Sequence, residues 1–342
     1  SEDHAVRTKP QNAESREFLR GPETLLYGSS AIGGVVNVTD NSIPKTNIGK
    51  SFKGALDYRQ GTGDDEIGGA VKLEGQRKSL NWHLDYFHQD TDNIEIPNGV
   101  LENSATRSEG FNAGASHIFE KGFVGVSINN WESKYGVPGH AHEEEEEEEH
   151  HDEEEESVAI DAEQSRLDIH GKLVELSERV KALKFKLGLS NYDHKELEGD
   201  EVGTKFENDA LEARVEISHT PIASFEGVIG LQVQASDFSA IGEEAFLPET
   251  DTFSPAIFIF EEKPLNEKWK LQAGARYDFV NYDAKGFSSE EFNPFSFSTG
   301  LVWDPTGQND YTLGLSFAFT QRAPSVCLLY TSDAADEKRC VG

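Results

Sequence analysis

The chain has 342 residues, with 31 basic and 63 acidic side chains and a formal net charge of −32. This length is sufficient for one large domain or for two to three ordinary ones. The excess of acid argues against nucleic-acid binding, because phosphate contacts need clustered Lys and Arg. It favours metal cations, or a lipopolysaccharide surface bridged by cations, as the counter-charge. No apolar run approaches the roughly 20 residues of a spanning helix, which excludes a helical membrane protein.

Residues 17–40 combine a glycine-rich turn with a short β-branched strand, which is predicted at Val35 to Thr39. The glycines of this segment allow tight turns and a close backbone approach that larger residues would block. The order strand, GxGxxG, helix is missing, and so is a P-loop Lys followed by Ser or Thr. A phosphate-binding loop is therefore not predicted here.

Between residues 51 and 322 the sequence predicts about thirteen β-strands, because short runs alternate apolar and polar residues with period two. In Trp269 to Phe279, for example, the odd positions are apolar and the even ones are charged, polar or Gly. Many runs are near the roughly ten residues of a membrane-crossing strand. A soluble β-sandwich or propeller also alternates, but its apolar face should be rich in Val, Ile and Leu. The polar face here is rich in Gly, Ser, Gln and charge, which favours a membrane barrel with a wet lumen.

The connections between these strands alternate in length, as in outer-membrane barrels, which have short turns at one rim and long loops at the other. The first connection of the long set, near Gly61 to Glu66, is the exception and is short. The tight set is predicted at residues 77–79, 120–122, 176–181, 220–224, 263–267 and 304–309. The other long connections are predicted at residues 89–108, 133–159, 194–205, 238–252 and 282–290.

The largest predicted loop contains a tract of histidine and acid. Twelve carboxylates and four of the eleven histidines lie within the 17 residues from His140 to Glu156. Such a segment cannot fold alone, since like charges repel and no apolar residue anchors it. Imidazole and carboxylate suit Zn²⁺ and similar metals, and His-rich tracts are a metal-binding composition. The alternative is a solvated acidic loop, or one that bridges lipopolysaccharide through Ca²⁺. The candidate ligands in the tract are His140, His142, Glu143, His150, His151 and Asp152.

The two ends of the chain have unusual compositions. Met is absent and there is no signal peptide, which leads us to expect a fragment. Both cysteines, Cys327 and Cys340, fall in the last 16 residues, so the body has no disulfide framework. Residues 327–342 show neither strand alternation nor turn signals and resemble a translated sequencing adapter. We expect this tail to be non-native; a genuine terminal loop is the alternative.

The glycine-rich segment resembles the C-terminal end of the plug domain of TonB-dependent outer-membrane receptors. Their pattern is LRGP, then LYG, then A.GGV.N..T, and a barrel follows it. The plug-motif residues include Arg20, Gly21, Pro22, Tyr27, Gly28, Gly33, Gly34 and Asn37.

This resemblance implies an all-β fold: a partial transmembrane antiparallel β-barrel, about 13 of roughly 22 strands, preceded by a plug remnant. Residues 1–42 would be the C-terminal remnant of the plug and residues 48–326 the N-terminal part of the barrel. The family's activity implies active import across the outer membrane of a Gram-negative bacterium. The TonB–ExbB–ExbD complex would supply the energy through a TonB box upstream of this sequence.

A metal ion is the predicted cargo, because the acidic tract could capture metal and pass it to a better-ordered site. Zinc is the preferred metal, although ligand types alone do not rank Zn²⁺ against Ni²⁺, Cu²⁺ or Mn²⁺. The stretches Tyr135 to Glu143 and Ile241 to Pro248 are similar to the zinc-receptor subgroup. Candidates for the second site are His88 at the rim of an earlier strand and three residues of the next long loop. Those three are Asp193, His194 and Glu196.

Two other functions are compatible with the sequence. One is a siderophore or haem receptor with an incidental acidic loop, and the other is a surface barrel that transports nothing. Enzymatic activity is not predicted, because there is no nucleophile elbow and no His-Glu-x-x-His spacing. No cofactor is predicted either, the metal being cargo.

Overall fold

The computed structural model describes residues 14–29, 33–138, 157–199, 201–242, 245, 247–306 and 311–330. Its regular structure is almost entirely β-strand. No helix in these ranges is long and apolar enough to cross a membrane. The elements are β1 (Ser15–Leu19), a 3-10 helix (Pro22–Leu26), β2 (Val35–Thr39), β3 (Lys53–Gln60), β4 (Ile67–Arg77), β5 (Leu80–Thr91), β6 (Ile94–Ile96), β7 (Gly99–Leu101), β8 (Thr106–Phe119), β9 (Gly122–Gly136), β10 (Val158–Val174), β11 (Val180–Glu198), β12 (Glu201–His219), β13 (Glu226–Gly242), β14 (Thr250–Pro264), β15 (Trp269–Asp278), β16 (Val280–Ala284), β17 (Glu290–Phe292), β18 (Phe295–Trp303), β19 (Leu313–Phe319) and α1 (Val326–Tyr330).

Thirteen of the described strands form one continuous path of hydrogen-bonded neighbours, from β3 at one end to β19 at the other. Every neighbouring pair on the path is antiparallel, and each strand pairs with the next path strand along the chain. The hairpin β6–β7 stands apart from the sheet, while β16 and β17 extend it beside β14. This large antiparallel sheet confirms the predicted fold class of a partial β-barrel.

The connections follow the predicted alternation, with one correction. The turn between β4 and β5 contains only residues 78–79, whereas residues 92–105 separate β5 from β8. The connection predicted at residues 194–205 is wrong, because β11 continues to Glu198 and β12 begins at Glu201. Its polar sequence hid the strands, because apolar and polar residues do not alternate there although the backbone pairing continues.

The strands in the middle of the path are longer than a bilayer requires. β10 and β13 have 17 residues each, and β11 and β12 have 19. A strand needs about ten residues to cross the hydrocarbon core of a bilayer, and at roughly 3.3 Å per residue the remaining residues of these strands add about 20–30 Å.

The two faces of the sheet have opposite chemistry. We call the face that residues 14–48 contact the inner face, and the opposite one the outer face. On β9 the outer residues Val124, Val126 and Ile128 are exposed, while the inner residues Ser127 and Ser133 are buried. Because side chains alternate along a strand, other strands of the path, such as β5, repeat this arrangement of polar residues inside and apolar residues outside, whereas the end strands β3 and β19 are exposed on both faces.

Candidate functional site

Residues 14–29 and 33–48, here called the luminal segment, lie against the inner face of the sheet. Its 3-10 helix packs on β14, β15 and β18, with Pro22, Thr24 and Leu25 buried. Gly21 precedes the helix at φ 80°, a left-handed conformation that a side chain would strain. The backbone of Pro22 approaches Gly274 so closely that a Cβ there would collide with the Pro22 carbonyl. The plug-motif residues Gly21 and Pro22 thus fix how the helix meets the wall.

The remaining plug-motif residues shape the β1–β2 hairpin and the tip of the helix. Asn37 donates to the Glu17 carboxylate at 3.1 Å across the hairpin. Gly34 has φ 134°, and a Cβ there would press on the Leu19 carbonyl oxygen. Tyr27, at the helix end, lies 5.8 Å from the Arg214 guanidinium on β12. Arg20 runs beside Gly34, Gly28 has φ 144°, and Gly33 has open space around it.

The end of the luminal segment is bound to the other half of the wall. Asn41 donates to Glu74 Oε1 at 2.7 Å, and the Ile48 amide donates to Asn81 Oδ1 at 3.1 Å. Glu74 also accepts from His83, whose second ring nitrogen lies 2.6 Å from Asp85 Oδ2. The sequence analysis did not predict this buried network. The polar residues at alternate positions of β5, Asn81, His83 and Asp85, could have indicated it.

Among the described residues, the inner face carries four pairs in which an arginine binds an acid two residues away on the same strand, one of them Arg59 with Asp57 on the edge strand β3 at 3.2 Å. Arg276 on β15 donates to Asp278 from Nε and from a terminal nitrogen, at 2.8–2.9 Å. Arg166 with Asp168 on β10, and Arg214 with Glu216 on β12, repeat the arrangement. Gln232 accepts from Arg214 and from Arg276, at 3.2 Å each, and so links two of the pairs. The result is a charged but internally satisfied wall.

A cavity of about 490 Å³ separates the tip of the luminal segment from this wall. Tyr27, Gly28 and Ser29 line one side of it. The other side includes Arg166, Arg276 and Arg322, together with Glu212 and Asp278. Three arginines and two acids therefore line the cavity, which gives it a small positive excess in an acidic chain.

The predicted metal ligands of the acidic tract, His140, His142, Glu143, His150, His151 and Asp152, lie outside the described residues. The two strands that flank residues 139–156 are closed together at their ends. The Val137 amide donates to the Val158 carbonyl at 3.0 Å. The side-chain amide of Asn103 donates to the carbonyls of both residues, at 3.1 and 2.7 Å. The base of this segment therefore has a defined position at the long-loop rim.

His194 lies on the inner face just below that base, opposite Ala162 on β10 and Phe206 on β12. The side chain is 7% exposed and stacks on the Phe206 ring at 4.5 Å. Its Nδ1 lies 2.9 Å from the Tyr192 hydroxyl, and its Nε2 lies 3.9 Å from Glu196 Oε1. The structure thus brings His194 and Glu196 together on one face. Among the described residues there is no group of three or more His, Cys, Asp or Glu arranged to hold a metal.

The other two candidates point away from His194. Asp193 directly precedes His194 on β11 and therefore faces the outer side, opposite Glu163. His88 lies on the outer face of β5, with Nδ1 3.6 Å from Glu109 Oε2. We expected both to converge near His194, but a one-residue step along a strand reverses the face. The strand pairing, which cannot be derived from the sequence alone, shows that Asp193 and His88 lie on the opposite face from His194.

Comparison with known proteins agrees with this architecture. Residues 179–335 match the family model described as "TonB dependent receptor-like, beta-barrel". The fold is similar to that of the FrpB iron transporter from Neisseria meningitidis, F3-3 variant, with a TM-score of 0.76 and 12% identity over 93% of this chain and 54% of that one. The copper transporter OprC gives a TM-score of 0.76 and 11% identity, over 93% and 52%.

The ferric-catecholate import receptor Fiu from E. coli K12 matches with a TM-score of 0.67 and 12% identity, over 92% of this chain and 60% of that one. The chain spans about half the length of the first two solved structures. At such identities the likeness is one of fold. The chain therefore has the fold of these transporters and receptors, and its residues 179–335 are similar to the TonB-dependent receptor-like β-barrel model.

Proposed function

We propose that the protein is a TonB-dependent receptor that imports a metal ion, zinc, across the outer membrane. The observation that carries this proposal is the position of His194 and Glu196 on the inner face, directly below the clamped base of residues 139–156. The sequence of that segment contains 12 carboxylates and four histidines. Imidazole and carboxylate groups are the ligands that Zn²⁺ accepts most readily after thiolate.

The spacing of the pair suits a transient cargo site. Two ligands at 2.0–2.1 Å from a tetrahedral Zn²⁺ stand roughly 3.3 Å apart. The 3.9 Å between His194 Nε2 and Glu196 Oε1 needs only a small rotation to reach that value. The Tyr192 hydroxyl at Nδ1 orients the ring, as partners of metal-binding histidines commonly do. Two protein ligands hold a metal weakly, which allows it to move on.

Release into the periplasm is the step that we assign to the luminal segment. In this proposal residues 1–42 are the end of the plug domain, residues 48–326 are barrel, and residues 327–342 are a non-native tail. The long loops face the outside of the cell, and the TonB–ExbB–ExbD complex moves the plug. The contacts of Pro22 with the wall and of Asn41 with Glu74 are those that such a movement would strain.

Uptake of radioactive zinc by cells at limiting zinc tests the proposal. Deletion of residues 140–156 should lower uptake severalfold at limiting zinc and leave uptake at saturating zinc unchanged, because the segment acts by capture. His194→Ala should lower uptake at both concentrations. His117→Ala, on the exposed outer face of β8, is the matched control. Unchanged uptake in both the deletion and His194→Ala would contradict the proposal.

A second candidate cargo is an anionic metal chelate, which the arginines of the 490 Å³ cavity favour. The guanidinium fork binds carboxylate and catecholate oxygens well, but it does not bind a bare cation. Competition decides between the two. An excess of unlabelled zinc salt should abolish the uptake of labelled zinc if the free ion is the cargo. If a zinc chelate competes and the free salt does not, and if Arg166→Gln removes that competition, the chelate is the cargo.

A further inference from the structure

A second cavity, of about 1270 Å³, lies between residues 37–47 of the luminal segment and the inner face of β9 to β12. Basic side chains outnumber acidic ones along its walls. His170 on β10, Lys186 on β11 and Arg214 on β12 form a row across these strands, because each lies directly opposite the next in register. Like charges opposite each other destabilise a sheet, so this row costs free energy unless a counter-charge is close.

The acids that line this cavity already accept hydrogen bonds from other groups of the protein. Lys172 and Lys186 are the exceptions on the otherwise satisfied wall, since neither has a carboxylate within ion-pair distance among the described residues. His170 has only a distant contact, 3.9 Å from Nε2 to Asp168 Oδ1. The acids and their donors are Glu17 with Asn37, Asp40 with the Ser42 amide, Asp168 with Arg166, Glu212 with Gln232, and Glu216 with Arg214.

The luminal segment adds another basic group from the opposite side of the cavity. Lys45 lines the cavity directly after Pro44, whose carbonyl accepts a hydrogen bond from Ser116 on β8. Lys45 lies close enough to repel both His170 and Lys186. Among the described residues Lys45 has no ion pair either. The segment is thus anchored at a position where its ammonium group lies near two basic groups of the wall.

We infer that this cavity binds a small multivalent oxyanion, of the phosphate and sulfate class, between Lys45 of the luminal segment and Lys186 and His170 of the wall. A tetrahedral oxyanion carries more than one negative charge and several acceptor oxygens, so it accepts hydrogen bonds from groups on both sides of the cavity at once. Lysine ammonium groups bind such anions as compact point charges with three donors each. This site is independent of the proposed zinc transport.

The charges around the cavity favour an oxyanion over other small ions. The basic groups would repel a divalent cation, and a chloride ion would neutralise only one of the two lysines. The 490 Å³ cavity is a different site, because its described lining residues do not include Lys45 or Lys186. Because the oxyanion attracts both lysines, its binding stabilises the contact between the luminal segment and the wall.

Binding of inorganic phosphate by the protein in detergent solution, followed by equilibrium dialysis with labelled phosphate and by thermal unfolding, tests the inference. Sulfate and chloride are compared as competitors at equal ionic strength. The test variants are Lys186→Gln and Lys45→Gln. The matched control is Lys195→Gln, which removes the same charge from the outer face of β11. Circular dichroism verifies that all variants retain the strand content of the wild type.

The wild type and the control should bind phosphate roughly tenfold more tightly than either test variant, since each test variant loses one charge-assisted hydrogen bond. Sulfate should displace phosphate, and chloride at the same ionic strength should not. Phosphate should raise the melting temperature of the wild type and the control more than that of the test variants, because it binds the folded state. Equal phosphate affinity of either test variant and the control, or equal displacement by chloride and sulfate, would overturn the inference.

Discussion

On the inner face of the sheet, arginines and carboxylates two residues apart on one strand bind each other, whereas on the outer face like charges line up across strands. Arg276 and Asp278 are 4% and 6% exposed and share two short contacts. Glu132 and Lys134, also two residues apart, are exposed on β9. The two faces therefore differ in the source of the counter-charges for their ionised side chains. The inner wall neutralises most of its charges in pairs along the strands, whereas the outer wall does so only in part, as at Lys205 with Glu207.

The largest effect should come from breaking an inner pair. Arg276→Ala should lower the free energy of unfolding by about 3–5 kcal/mol, because it leaves the buried Asp278 carboxylate without its partner. Urea unfolding in lipid vesicles measures this difference. The corresponding outer change, Arg107→Ala, should cost less than about 1 kcal/mol, since exposed charges contribute little to stability.

A second variant distinguishes the loss of charge neutralisation in Arg276→Ala from a loss of packing. Arg276→Leu/Asp278→Leu removes both charges and should recover most of the lost stability. If the double variant is as unstable as the single one, the arginine stabilises the sheet through its bulk rather than through neutralisation.

The next effect concerns the apolar rows of the outer face. Val126→Lys places a charge within the band that contacts hydrocarbon and should cost about 2–4 kcal/mol. Asn130→Lys, four residues along the same face of β9, should cost about 0–1 kcal/mol because that position is at the interface. Unfolding in vesicles measures both. Equal costs would place the boundary of the apolar band elsewhere.

The smallest effect is a pH dependence of the luminal helix. Burial, with repulsion from Glu262 and Glu17, raises the pKa of Glu23 above its ordinary value. The folded state therefore holds this proton more tightly than the unfolded chain, and stability is lost as the pH rises through the raised pKa. Glu23→Gln should be slightly more stable than the wild type at pH 7, and the two should converge below about pH 4.5.

Thermal unfolding at pH 7 and at pH 4 measures this convergence. Glu175→Gln, which changes the same charge in the exposed turn between β10 and β11, is the control and should follow the wild type at both values. A Glu23→Gln variant less stable than the wild type at pH 7 would show that the carboxylate is stabilised in the lumen.

Much of the fold could be predicted, because the alternation of apolar and polar residues within one strand is visible in the sequence. The alternation in Trp269 to Phe279 predicts β15, and the predicted strand at Val35 to Thr39 is β2 to the residue. The tight connections are confirmed within a few residues. The alternation of apolar and polar residues identifies a strand and its two faces only where one face is apolar. The prediction of a loop at residues 194–205 was therefore wrong, because apolar and polar residues do not alternate there.

The candidate site was less accessible to sequence reasoning, since it depends on which strand positions are opposite each other. His194 and Glu196 were identified as candidates, but the residues that hold them, Tyr192 and Phe206, were not. The row of like charges on the outer face was hidden for the same reason. Glu132, Glu163 and Asp193 are about 30 residues apart in sequence, and only the register joins them. The metal-binding role of the 139–156 tract stays a prediction.

Spin labels placed one at a time along β11 test the two-faced wall most directly. In a background without Cys327 and Cys340, labels at residues 185–197 are compared in membranes for collision with oxygen, which dissolves in lipid, and with a water-soluble nickel complex. We predict oxygen maxima at odd positions up to Leu189, a change to the nickel complex at Asn191, and nickel access at the even positions throughout. Oxygen maxima at even positions, or no period of two, would contradict the account.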